Sequence, residues 1–151
     1  MYKRILVPLD GSETARFGLR EAISLAKEHK SSLRLLHVVS PFHLMMEISA
    51  GEDIERYHQA LVEAGELLLR DAKALCASLD VQTEISLRKL QGGRVADAIV
   101  DEAREAGCDL IAIGTHGRRG VSRALLGSDA ERVLRQATVP VLLIRERPAK
   151  S

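Results

Sequence analysis

The sequence predicts an α/β fold: a single doubly wound sheet of five parallel strands in the order 3-2-1-4-5, with helices on both faces, in one domain over residues 1–151. Three observations predict it. Four short apolar runs, Ile5 to Leu9, Leu33 to Val39, Leu110 to Ile113 and Val139 to Ile144, are nearly continuous in hydrophobicity, as strands buried on both faces require. Helical patterns separate the strands in the order βαβαβαβαβ, and right-handed crossovers between parallel strands put those helices on both faces. Finally, Gly114-Thr-His-Gly117 is followed after nine residues by Gly127-Ser128, between a strand and a helix, where such a sheet opens a crevice at its carboxyl ends.

The elements follow in order. The first strand runs into the turn Asp10-Gly-Ser and a helix with Ala15, Leu19, Ala22, Ile23 and Ala26 on one face. After the second strand, Pro41 to Gly51, with Phe42, Met45 and Met46, reads as an irregular connection able to serve as a lid. In the second helix Ile54, Tyr57, Leu61, Ala64, Leu68, Ala72, Leu75 and Leu79 recur at steps of three and four and predict the face turned to the sheet. The third strand, Gln82 to Arg88, alternates more and belongs nearer an edge. A third helix presents Val95, Ala98, Ile99 and Ala103. The last begins Ser128-Asp-Ala-Glu131, a capping-box pattern, and presents Ala130, Val133, Leu134 and Ala137. The final strand then lies at the other edge, where pairing of Val139 to Ile144 with its copy in a homodimer would cover an aggregation-prone rim; the short polar tail Arg145 to Ser151 is the alternative cover.

Composition narrows the function. A net charge of +1 lacks the basic excess of proteins that bind nucleic acid or anionic membranes. No apolar run approaches the roughly 20 residues of a membrane span, and a cytoplasmic location is expected. Cys76 and Cys108 stand far apart, without CxxC spacing or a histidine ligand set, and read as small buried hydrophobes in a reducing compartment rather than metal ligands.

The glycine pattern carries the chemistry. Backbone approaches an anion closely where side chains are absent, and a helix N-terminus adds N–H donors and a positive dipole end, so the spacing points to a polyphosphate ligand. Gly114 and Gly117 alone could be a tight turn; Gly127-Ser128 at a helix start favours phosphate. Ser128 could meet phosphate, or its side chain could bond to the amide of Glu131. Asp10 could accept from a ribose hydroxyl or an adenine amino group, or cap the first helix through its Asp-x-x-Glu arrangement. The loop from His116 to Arg123 is locally basic, which suits an anion; Arg118 and Arg119 are candidate phosphate contacts, with a solvated face as the alternative. Asp129 opposes this. A carboxylate about 4 Å from a phosphate charge costs about 4 kcal/mol at an effective dielectric near 20, so it must point away, meet an arginine or share a divalent cation. His116 could donate a proton or be a simple loop residue, and His29, His37, His43 and His58 form no ligand spacing. The chain lacks Gly-x4-Gly-Lys-Ser/Thr, and Gly-x-Gly-x-x-Gly after its first strand.

Over nearly its whole length the chain resembles the universal stress protein family, specifically its ATP-binding branch. The resemblance rests on Ile5-Leu-Val-Pro-Leu-Asp10-Gly-Ser12, His37-Val38-Val39, Gly114-x2-Gly117-x9-Gly127-Ser128 and Val139-Pro-Val-Leu-Leu-Ile144, in this order. It implies a Rossmann-like fold, homodimers formed through the last strand, and an adenine nucleotide (ATP, ADP or AMP), with Mg²⁺ expected beside its phosphates. By that analogy Pro8 and Asp10 lie against adenine and ribose, Val38 or Val39 helps form the base pocket, Ile113 and Gly114 line ribose and phosphates, and Gly117, Gly127 and Ser128 hold the phosphate chain. Three readings follow: a nucleotide-binding stress-response module, a slow ATP hydrolase or self-phosphorylating enzyme with no evident general base, and a nucleotide-free interaction protein.

Overall fold

The computed structural model describes residues 1–40, 53–116 and 126–146. Its elements are β1 (Arg4–Pro8), α1 (Glu13–His29), β2 (Ser32–Val39), α2 (Ile54–Ser78), β3 (Thr83–Lys89), α3 (Val95–Glu105), β4 (Leu110–Gly114), α4 (Ser128–Gln136) and β5 (Val141–Ile144). The sheet has the order β3-β2-β1-β4-β5, and every strand pair is parallel, as expected. β5 opens at Val141 rather than Val139. The expected lid, Pro41 to Gly51, lies outside the described residues.

Two apolar layers sandwich the sheet. On the front, Ile5, Val7 and Leu9 of β1 and Leu33 and Leu35 of β2 pack with α1 and α2; on the back, Leu6, Leu36, Ile111 and Ile113 pack with α3 and α4. Residues of one strand divide between layers by the period of two, so both faces of the central strands need apolar side chains. In α1 the expected stripe, Ala15 to Ala26, is buried throughout.

The expected face of α2 needs correction. Val62, Gly65, Leu69, Ala72 and Cys76 are buried, whereas Ile54, Leu75 and Leu79 are exposed. Of the expected stripe, Ala72 is buried and Leu68 packs partly against the core, so the packed face is rotated from the leucine-rich one rather than opposite to it. The choice follows from β2: the His37 side chain rises from the front face toward α2, and only Gly65 leaves room beneath the helix for the ring. Leu134 of α4, also expected in the core, is 47% exposed.

Polar groups bind the amino end of the sheet and its back face. Asp109 accepts the amides of Lys3 and Arg4 at 2.8 and 3.0 Å, and Arg4 donates to the Ala106 carbonyl at 2.7 Å. From there a network runs through Glu84 and Arg34 to Glu102, which is 3% exposed and meets Arg34 at 2.8 Å and Arg88 at 2.5 Å. Burial alone would push the Glu102 carboxyl up, but hydrogen bonds from Arg88, Arg34 and Ser86 reverse this and hold it below the ordinary value. The arrangement clamps α3 to β2 and β3. Both cysteines are buried and free, in agreement with their reading as hydrophobes, and burial pushes the Cys108 thiol up to about 11.

Candidate functional site

The pairing between β1 and β4 ends early, where the winding of the sheet reverses. The β1–β4 ladder registers Ile5 with Leu110 and Leu6 with Ile111, and goes no further, although β4 continues to Gly114. Pro8 explains the stop. The Arg4 carbonyl accepts from Asp109 and the Leu9 amide donates to the Leu36 carbonyl, so by alternation the even-numbered residues of β1 turn their backbone toward β4. Pro8 therefore faces β4 at the one position where a donor is missing. The result is an opening between the carboxyl ends of β1 and β4.

Beyond Pro8 the chain turns through Gly11, at a φ of 84°, a left-handed conformation that suits glycine. Asp10 does not cap α1. Its Oδ1 accepts the Ser12 amide at 2.9 Å and shapes the turn, while Ser12 is the N-cap, its Oγ accepting the Ala15 amide at 3.1 Å. The cap sits two residues later than the Asp-x-x-Glu pattern suggested because the Gly11 turn intervenes. Asp10 is half-buried beside the opening.

Val38 and Val39 part company. Val38 shares the back-face cluster with Ile113, and alternation puts Pro8 on that side too, so the three outline an apolar floor across β2, β1 and β4. Val39 points to the other face, and its carbonyl accepts the Leu90 amide at 2.9 Å. The β1–β2 ladder ends at Pro8 with Leu36, while β2 stays paired with β3 through Val39 with Lys89. Among the described residues the Val38 peptide, which faces the β1 side, is thus not taken up by β1. It presents one N–H and one C=O to the opening.

The glycines prove to be partly structural. A Cβ on Gly114 would lie 2.8 Å from Cγ2 and 2.9 Å from the carbonyl oxygen of Thr14, so glycine there lets β4 approach the first turn of α1. The Gly127 amide donates to the Thr115 carbonyl at 2.6 Å, anchoring the start of α4 to the end of β4. Gly127, in an extended conformation, is the N-cap of α4, and no side chain caps the helix among the described residues. The capping box anticipated for Ser128 is therefore absent: Ser128 is the first helical residue, and the Glu131 amide goes to the Gly127 carbonyl at 2.9 Å. The uncapped first turn leaves the dipole end of α4 facing the same edge of the sheet. Gly117, Arg118, Arg119 and the rest of the basic loop lie outside the described residues.

His116 is more than a surface loop residue. Its Nδ1 lies 2.9 Å from the hydroxyl of Thr115, itself 3% exposed, and its Nε2 is buried with no hydrogen-bond partner among the described residues. Sequence reasoning missed Thr14, whose only signal was its place opposite a glycine on another element; His37 was named there, without the contact its Nδ1 makes with the Leu9 carbonyl at 2.7 Å.

Comparison with known proteins decides the family. The universal stress protein family model matches residues 1–145. The chain belongs to that family. Among universal stress proteins, MJ0531 of Methanocaldococcus jannaschii is 34% identical, the match covering 97% of this chain and 84% of that protein. The crystal structure of a family member from Burkholderia pseudomallei is 36% identical, with a TM-score of 0.77 and coverage of 95% of this chain and 96% of its own. Two universal stress protein structures, each 24% identical, share the fold: one from Archaeoglobus fulgidus in complex with dAMP (TM-score 0.66, covering 95% of this chain and 98% of its own) and one in complex with cAMP (TM-score 0.62, covering 95% and 97%). No helix among the described residues is long and apolar enough to cross a membrane.

Proposed function

We propose that this chain is an adenine-nucleotide-binding regulatory module of the cytoplasmic stress response. The observation that carries this reading is the opening between β1 and β4, created by Pro8 and bordered by groups suited to the parts of a nucleotide. The Val38 peptide offers a donor and an acceptor to the edge of a base, over a floor of Val38, Pro8 and Ile113. Asp10 offers a carboxylate to ribose hydroxyls. The first turn of α4, with Ser128, and the Nε2 of His116, which has no partner among the described residues, offer donors to phosphate oxygens. Family members of the same fold in complex with dAMP and cAMP support adenine as the base. ATP, ADP and AMP all fit this reading; with the longer phosphate chains Mg²⁺ would offset the charge of Asp129. The family resemblance would add Gly117 and Arg118, which lie outside the described residues, and Gly127, whose own amide is engaged elsewhere, to the phosphate seat.

Calorimetry with ATP and Mg²⁺, alongside mass spectrometry of the supernatant from gently purified and then denatured protein, tests the reading. Heat of binding together with a co-purified adenine nucleotide is expected; neither appearing at millimolar ATP would overturn it.

The packing of Gly114 against Thr14 favours a second reading, in which the glycines serve the fold and the chain is a nucleotide-free interaction module. The same calorimetry separates the two. A homodimer through β5 fits either, since β5 is an edge strand whose Leu142 is 39% exposed. Sedimentation of a Leu142→Lys variant as a monomer, against a wild-type dimer, tests that interface.

A further inference from the structure

We infer that His37 is a positioning residue that ends the β1–β2 ladder and thereby makes the Val38 peptide available to read a purine base, and that Gly65 of α2 exists to give its ring room. The inference rests on the nucleotide reading above, and extends it to how the base is told apart from others.

The geometry starts from the ladder. The Leu9 amide donates to the Leu36 carbonyl at 2.7 Å, and in a continuing parallel ladder the next bond would run from the Val38 amide to the Leu9 carbonyl. That carbonyl is met instead by Nδ1 of His37 at 2.7 Å. A carbonyl only accepts, so Nδ1 carries the proton and the neutral ring is the Nδ1–H tautomer. The Leu9 carbonyl is thereby engaged outside the ladder. The register ends at Pro8 with Leu36, while β2 stays paired with β3 for three further residues, His37, Val38 and Val39. The lane beside Val38 is thus vacated by one neighbour and kept straight by the other.

Gly65 makes the arrangement possible. It lies in the middle of a 25-residue helix, a position where glycine is unfavourable, and a Cβ there would stand 2.4 Å from Cδ2 and 2.9 Å from Nε2 of His37. Any other residue would push the imidazole off Leu9. With the ladder ended, the Val38 peptide matches the Watson–Crick edge of adenine, in which N1 accepts and the 6-amino group donates. The corresponding edge of hypoxanthine has these roles reversed.

The test uses the full-length protein, His37→Phe, His37→Asn and Gly65→Ala variants, amide hydrogen exchange at Val38 and Leu36, and calorimetric titration with ATP, ITP and tripolyphosphate. In the wild type the Val38 amide is expected to exchange at least about tenfold faster than that of Leu36. His37→Phe frees the Leu9 carbonyl, so Val38 becomes protected, ATP affinity falls about tenfold, the preference for ATP over ITP shrinks with it and tripolyphosphate affinity stays unchanged. His37→Asn, which offers an N–H close to the Nδ1 position, keeps wild-type exchange and preference. Gly65→Ala reproduces His37→Phe in weaker form. Equal protection of Val38 and Leu36 in the wild type overturns the inference, as does a His37→Phe variant that loses ATP and ITP by the same factor. A wild type that binds neither nucleotide but shows the expected exchange pattern overturns the nucleotide reading and the base-reading role, and supports the ladder stop alone.

Discussion

At the amino end of the sheet, backbone groups left over by the strands are taken by side chains: Asp109 holds the amides of Lys3 and Arg4, the Ser31 hydroxyl donates to the Tyr2 carbonyl at 2.6 Å, and Arg4 donates to the Ala106 carbonyl. At the carboxyl end the side chains work the other way. Pro8 withholds a donor, His37 draws a carbonyl out of the ladder, and the α4 helix begins without a side-chain cap among the described residues. The strands are the same at both ends, so the difference lies in a few residues that close one edge and hold the other open. Polar groups at the first edge stabilise the fold, whereas at the second the Val38 peptide is not taken up by β1 among the described residues.

The largest expected effect tests the closed side. Glu102→Ala leaves Arg34 and Arg88 without their shared carboxylate, and should cost about 3 kcal/mol, read as a fall in the thermal midpoint, with ATP affinity at low temperature unchanged. Gly114→Ala comes next and probes whether the open side is open throughout. The new Cβ meets Thr14 backbone, so a loss of about 2 kcal/mol in denaturant unfolding is expected; a loss of ATP affinity without that fall would mean the glycine serves the ligand directly.

A matched pair then sets the two ends against each other. Asp109→Ala should lower stability by about 1.5 kcal/mol and leave ATP binding alone, whereas Asp10→Ala should weaken ATP binding about tenfold at a stability cost of about 1 kcal/mol or less. Affinity lost on Asp109→Ala would dissolve the division. The smallest effect is in pH. The Glu102 carboxyl is lowered from 4.5 in the fold, so its contribution to stability is complete above that value and drains away as pH falls toward the folded value. Acid unfolding curves for wild type and Glu102→Gln should therefore draw together as pH falls below 4.5 and converge below the folded value of the carboxyl.

Much of the fold was legible because the strands are buried on both faces. Runs such as Leu33 to Val39 need apolar residues at every position, and the helical patterns between them fix the alternation and, with right-handed crossovers, the sheet order. The face of α2 was legible only in part, at Ala72 and Leu68. The leucine stripe through Leu61, Leu68 and Leu75 outweighs Val62, Gly65 and Leu69 in hydrophobicity, and what decides between them is the ring of His37 on a different element. The positions of the caps were not legible for a related reason. Asp10 and Ser128 both stand at the right distance from a glutamate, but the true N-caps are Ser12 and Gly127, set by where the backbone turns into the helix. The glycine spacing falls where β4 passes into α4, at the carboxyl edge of the sheet. It could not say that the missing side chain of Gly114 points at Thr14 or that the Gly127 amide is already engaged, since both facts belong to contacts between elements distant in the chain.

The short β1–β4 ladder has a bearing on kinetics. It joins Ile5 to Leu110 across most of the chain through two registered pairs, against five between β1 and β2 and seven between β2 and β3. Contacts so remote in sequence form late, and on the front it is α1 that straps the joint through Thr14 and Gly114. A molecule resting on Val38 at one end and on the start of α4 at the other would rivet the two halves together after they have met. Its signature would be slower unfolding with an unaltered refolding rate, so that occupancy could be timed from the lifetime of the native state.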